Sequence, residues 1–296
     1  MSHTARSPVS NFLNAVLSGI GFGSLYGLVA LGLVVIFKST GILNFSAGAL
    51  MALGGLVAAS MTGNGFWIAA AFAVVVVTVV AGASNVVVMN PLLGRGLFPG
   101  VMVTIGLASI VEGISAIKFG ARALFLDPPV QNPAIDLPGE LTISSTLLVS
   151  LVLALSATVV LSIGFQRTGV GLQLRAAAAR PEVATMFGAN PARIFTYAWA
   201  VAGALAAIAG TLLASLTVAD MSIAAFAVRA FAAMIVGGVD SLGGAMAGGI
   251  MIGVIELLAG TYLGNDYRIP STMIVLMAFL LLRPSGMFGT PEVVRP

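Results

Sequence analysis

From Ser39 to Gly94 the chain contains no Asp, Glu, Lys, Arg or His. A water-soluble domain cannot be built from such a stretch, because nothing in it would keep the surface solvated. Its length, broken at Thr62-Gly63-Asn64-Gly65, suits two passes through a bilayer joined by a turn. The rest of the chain agrees. Charged residues make up 8% of the sequence and hydrophobic ones 59%, where a soluble domain carries roughly 25% charged. The exterior must therefore face lipid.

Charge-free windows place candidate helices at 10–37, 43–61, 66–89, 100–119, 143–165, 194–218, 224–238, 242–262 and 270–283. Segments 43–61 and 224–238 are Gly-rich or short, which suits re-entrant or broken helices. The fold expected is an all-α polytopic membrane protein with eight or nine transmembrane helices, residues 1–296 forming a single membrane-embedded domain. The uncharged stretch after Arg6 is too long for the apolar core of a signal peptide and reads as a retained first helix.

Loop charge sets the orientation. Segment 166–193 holds Arg167, Arg175, Arg180 and Arg193 against Glu182. Segment 120–142 holds Arg122 against Asp127, Asp136 and Glu140, and is Pro-rich. Basic loops stay in the cytoplasm, so 166–193 and the tail with Arg283 and Arg295 are expected inside and 120–142 outside. The side of the N-terminus depends on whether 43–61 crosses fully.

Several chemistries are excluded. Cysteine is absent, and the only histidine, His3, lies in the polar N-terminal tail, so a Cys- or His-based metal centre is ruled out. Neither lysine, Lys38 or Lys118, sits in a P-loop context, and no G-x-S-x-G is present. The basic residues bracket apolar runs instead of forming a patch, which argues against nucleic acid as a partner. No cofactor is expected.

Two kinds of feature remain. Gly19, Gly23 and Gly27 recur every four residues, as do Gly244 with Gly248 and Gly249 with Gly253. Such ridges let helix backbones approach in lipid, either inside one bundle or between subunits. Polar residues inside spans form the second kind, and their cost makes them functional candidates. Glu112 and Glu256 lie within spans, each either a buried packing residue or part of a solute pathway. Arg229, near the end of 224–238, either snorkels to the headgroups or lines that pathway. Asn44, flanked by Gly41 and Gly48, marks backbone irregularity of the kind that exposes amides to solute. Lys118 and Arg268 read as interfacial anchors. On sequence alone, Glu256→Leu removes an insertion cost of about 2–3 kcal/mol, so it is expected to spare folding.

The segment from Gly171 to Arg193 is Ala-rich, with Pro181 and Glu182 suited to a first helical turn and Gly188 to a C-cap. It reads as a short amphipathic helix on the cytoplasmic face: either an ordinary interfacial helix or a docking element for a separate motor. It resembles the coupling motif of the branched-chain amino acid permeases of the LivH/LivM family, of general form G-x-x-L-R-A-x-A-x-D-x-x-A-x-x-x-G. Gly171, Leu174, Arg175, Ala176 and Ala178 fall in register, and Ala184 and Gly188 match its later Ala and Gly with a shift of one residue. Gly23 to Gly32, the Gly41-Ile42-Leu43-Asn44-Phe45 turn, Thr104-Ile105-Gly106, Ala230 to Glu256 and the Arg283-Pro284-Ser285-Gly286-Met287-Phe288-Gly289 tail are similar to the same family, on the LivH side. The chain departs from the pattern at Ala47 and Ala49, where the family carries His or Gln and an acid, and at Arg180, where the motif's acid stands.

The resemblance implies a non-catalytic permease subunit in a bacterial cell membrane, passing branched-chain amino acids or a similar solute such as urea or a short or aromatic carboxylate. It implies as partners a second, LivM-like permease subunit, two cytoplasmic ATP-binding subunits and an extracytoplasmic solute-binding protein. ATPase coupling then falls to Gly171, Leu174, Arg175, Ala178, Glu182, Ala184 and Gly188, and the pathway to Asn44, Glu112, Arg229 and Glu256. A stand-alone secondary transporter is the alternative; it would want inverted repeats with matching interrupted helices, and the two halves lack self-similarity.

Overall fold

The computed structural model describes residues 7–92, 97–120, 123–131, 134–137, 141–169, 171–174 and 190–289. Its helices are α1 (Pro8–Thr40), α2 (Ala47–Ala59), α3 (Phe66–Ser84), α4 (Leu97–Phe119), α5 (Ser145–Arg167), α6 (Pro191–Ala214), α7 (Phe226–Gly237), α8 (Leu242–Tyr262) and α9 (Arg268–Leu282). Among the described residues six are long and apolar enough to cross a membrane: α1, α3 with its continuation to Leu92, α4, α5, α6 and α8. The other three are shorter. The expected broken segments are where the breaks fall, since α2 has 13 residues and α7 has 12.

Local chemistry sets the helix ends. The Ser7 hydroxyl accepts from Ser10 N at 3.1 Å, and Pro8 begins α1, where its missing N–H costs nothing. Gly41 ends that helix in the left-handed region at φ 70°, which favours glycine. Asn190 caps α6 ahead of Pro191 in the same manner as Ser7, and Ser241 caps α8. Beyond Ser84, α3 loosens into a π-helical turn, Asn85–Met89, where buried Asn85 donates to Thr196 of α6 at 2.9 Å.

The core is α1 laid against α8, with α6, α2 and α7 around them. The two glycine ridges interlock. A Cβ on Gly23 would sit 2.6 Å from the Gly249 carbonyl oxygen, and one on Gly249 would sit 2.6 Å from that of Gly23. The other edge of α8, Gly244 and Gly248, meets Ala233 and Gly237 of α7 in the same way. The ridges therefore serve packing within the bundle, where van der Waals contact replaces the hydrophobic drive that lipid removes. By contrast α3, α4 and α5 leave broad apolar faces exposed.

Contacts divide the bundle into two ends. At one, the Thr62 hydroxyl donates to the Phe125 carbonyl at 2.8 Å, Leu124 bridges to Ala219, and Asn14 of α1 accepts from Thr142 N at 2.8 Å. At the other, Lys38 donates to the Asp240 carbonyl at 2.6 Å, and the tail docks by Met287 N on Val236 O and Phe288 N on Gly237 O. The last turn of α5 and residues 171–174 lie beside Val35 at this second end, lining one apolar cleft with it.

The sequence reading missed one element. Ala134–Leu137 pairs antiparallel with Leu141–Ser144, so the helix expected from 143 begins at Ser145. Leu141-Thr142-Ile143 favours a strand by alternation and β-branching, a signal too short to stand out beside an apolar run.

Candidate functional site

The candidate pathway residues Asn44, Glu112, Arg229 and Glu256 fall into three separate places. Asn44 is buried, and its side-chain oxygen accepts from Ser46 N at 3.0 Å and from the Ser46 hydroxyl at 2.6 Å. This Asx-type turn launches α2, so the amide oxygen is spent on the backbone. Thr104 of α4 ties the same break down, its hydroxyl accepting from Phe45 N at 3.1 Å. Phe45 itself stacks on Phe231 of α7, ring centroids 4.9 Å apart. Glu112 lies elsewhere, on the exposed face of α4.

Arg229 and Glu256, by contrast, come together. Glu256 is fully buried on α8 and lies at the centre of a cluster drawn from four helices. Its Oε2 accepts from the Tyr26 hydroxyl of α1 at 2.9 Å and faces Arg229 Nε of α7 at 3.0 Å. Its Oε1 faces Arg268 Nε, at the start of α9, at 3.3 Å. Both guanidinium contacts are within ion-pair distance but lack hydrogen-bond alignment. The Arg229 guanidinium also lies over the Phe226 ring at 4.6 Å and over the Tyr26 ring at 6.0 Å, which lowers the cost of its burial.

This geometry corrects three readings. Arg229 does not snorkel: its side chain is 12% exposed and turned to Glu256. Arg268 is more than an interfacial anchor, because its side chain reaches inward across Gly260, where a Cβ would come within 2.9 Å of its Cγ. Glu256 faces two cations that its removal would strand, which counters the expectation that Glu256→Leu spares folding. Tyr26 was missed as a site residue, and only its place in the Gly23 to Gly32 run drew attention to it. Gly260 is one helical turn beyond Glu256, the spacing that clears a path to it from Arg268.

Of the expected coupling residues, Gly171 and Leu174 are described. Leu174 is buried, and Gly171 turns against the Gly164 and Phe165 carbonyls, its N–H donating to the Thr168 hydroxyl at 3.1 Å. Arg175, Ala178, Glu182, Ala184 and Gly188 lie outside the described residues. No group of three or more His, Cys, Asp or Glu side chains suited to a metal ion occurs among the described residues.

A bundle with six helices long and apolar enough to cross a membrane, Gly-packed and with a buried charge cluster, places the chain among helical membrane proteins in class. The family described as the permease component of the branched-chain amino acid transport system matches residues 15–283, and the chain belongs to that family. It is 28% identical to the high-affinity branched-chain amino acid transport system permease protein LivH of Salmonella typhimurium, over 95% of this chain and 97% of that one. It is 26% identical to the permease protein BraD of Pseudomonas aeruginosa, over 96% and 98%. A chain of PsaBC from Streptococcus pneumoniae, solved in complex with a Fab, superposes with a TM-score of 0.51 over 93% of each chain at 14% identity, a likeness of fold alone. The protein is thus a membrane-spanning permease subunit of a transport system.

Proposed function

We propose that the chain is the passive pathway subunit of an ABC importer for branched-chain amino acids or similarly small amphipathic solutes. The match over residues 15–283, in a chain with no P-loop of its own, carries this reading. A second permease subunit completes the pathway, a pair of cytoplasmic ATP-binding chains drives it, and an extracytoplasmic binding protein delivers solute. The Arg-rich 166–193 end, with Lys38, the Asp240 turn and the docked tail, faces the cytoplasm. The hairpin end and the start of α1 then face outward. Glu112 belongs to the face of α4 that meets the second permease subunit, where a carboxylate escapes lipid. The solute passes the Glu256 cluster, and Asn44 acts by holding the break before α2.

Coupling is assigned to Arg175 through Gly188. In this reading Ala178 and Ala184 would give close approach to a cleft on the ATP-binding chain, Arg175 would meet an acidic partner, and Glu182 and Gly188 are of the residue types that start and end a helix. Ala184→Trp is expected to overfill that cleft at about 1–3 kcal/mol. Arg175→Glu adds like-charge repulsion of several kcal/mol. Solute-stimulated ATP hydrolysis in the reconstituted complex should fall for both variants at normal membrane abundance. Full transport and assembly in both would remove the docking role.

A further inference from the structure

The charges of the four-helix cluster do not cancel. Among the described residues, Glu256 is the one carboxylate within ion-pair range of Arg229 or Arg268, and it faces both. Part of its acceptor capacity goes to Tyr26. Each guanidinium carries several N–H donors in a fixed fork, and neither Nε has an aligned acceptor. A surplus cation packed among apolar helices is costly unless it is compensated, so its retention calls for an anion that visits. Burial is graded across the cluster: side-chain exposure falls from 29% at Arg268 to 12% at Arg229 and to zero at Glu256. Aromatic rings, Phe226 and Tyr26, flank the inner guanidinium.

We infer that this cluster reads the carboxylate of the solute, Arg268 and Arg229 gripping it while its branched apolar part rests against Phe226. The inference rests on the importer reading and deepens it by assigning the side chains that hold the solute's carboxylate. Glu256 then has a second duty beyond charge balance. It leaves the empty cluster with a single surplus charge instead of two, so the carboxylate is held but can also leave.

The test uses the full-length chain in nanodiscs of phosphatidylcholine, read by thermal unfolding against added isovalerate and its neutral isostere isovaleramide. Isovalerate is expected to raise the unfolding temperature saturably, and isovaleramide is not. Arg268→Gln leaves Arg229 and Glu256 as a neutral pair, so the fold is retained. Its half-saturating isovalerate concentration is expected to rise by about tenfold, the usual loss for one charge-assisted contact. Arg268→Lys, which keeps the charge but not the fork, should weaken binding severalfold and serves if the glutamine variant does not assemble. Equal effects of acid and amide, or unchanged isovalerate binding in both Arg268 variants, would overturn the inference. It is equally overturned if isovalerate does nothing while phosphatidylglycerol stabilises the wild type but not Arg268→Gln, since the visiting anion is then a lipid phosphate. Binding is read here without ATP or partners. Its failure beside intact ATP-driven uptake removes the subsite alone, whereas failed uptake beside intact binding removes the importer reading alone.

Discussion

Glu256→Leu is expected to deplete the folded protein from the membrane severalfold. The carboxylate faces Arg229 and Arg268 and accepts from Tyr26, all from different helices. Leucine removes the shared counter-charge and leaves two guanidinium groups without it beside a buried position. Breaking a buried ion pair from one side costs about 3–5 kcal/mol, because the remaining charge is uncompensated. That outweighs the roughly 2–3 kcal/mol saved by not inserting a carboxylate. Adding Arg229→Leu and Arg268→Leu to the same variant should restore abundance, while uptake stays lost. Abundance measured by quantitative immunoblot decides the matter. A single Glu256→Leu variant present at wild-type level would mean that the cluster contributes nothing to the fold.

Gly253→Leu is expected to prevent assembly of the bundle. A Cβ at Gly253 would meet the Gly23 backbone at 2.5 Å, so α1 and α8 must part over their whole seam. Flexible side chains can move aside, but backbone cannot, which places the cost at or above the top of the usual overpacking range of about 1–3 kcal/mol. Gly243, on the same helix, has nothing within 4 Å of an added Cβ. Gly243→Ala should therefore be neutral or gain up to about 1 kcal/mol of helix propensity. Thermal unfolding in detergent compares the two. Similar melting temperatures for Gly253→Leu and the wild type would refute the interlocked seam.

What could be read in the sequence was what repeats or accumulates along it. Charge-free windows located the spans, and the short Gly-rich segments marked the breaks that became α2 and α7. The four-residue spacing of Gly19, Gly23 and Gly27 against Gly249 and Gly253 pointed to close packing, but not to which ridge meets which. The site was half legible. Glu256 and Arg229 stood out because charge inside a span is expensive. Their pairing did not, since Tyr26 and Glu256 are 230 positions apart and no local pattern links α1 to α8. Arg268 was taken for an anchor because it sits at a span end, where long cations usually reach outward; Gly260 redirects it. The strand pair Ala134–Leu137 and Leu141–Ser144 was hidden by the neighbouring Pro133 and Pro138 in the sequence and by the apolar run that follows. Asn44 was found for a sound reason, backbone irregularity, but its oxygen is occupied by Ser46.

The claim that most needs testing is that this chain is a passive subunit moved by another chain's ATP. Purification from native membranes under mild detergent, followed by reconstitution into proteoliposomes with radiolabelled leucine, addresses it directly. The account predicts that ATP-binding chains and a second permease subunit co-elute. It also predicts that leucine accumulates only when ATP and the binding protein are supplied, and that the isolated chain shows no saturable nucleotide binding. Leucine accumulation by the isolated chain, driven by an ion gradient without ATP, would contradict it and establish a stand-alone secondary transporter instead.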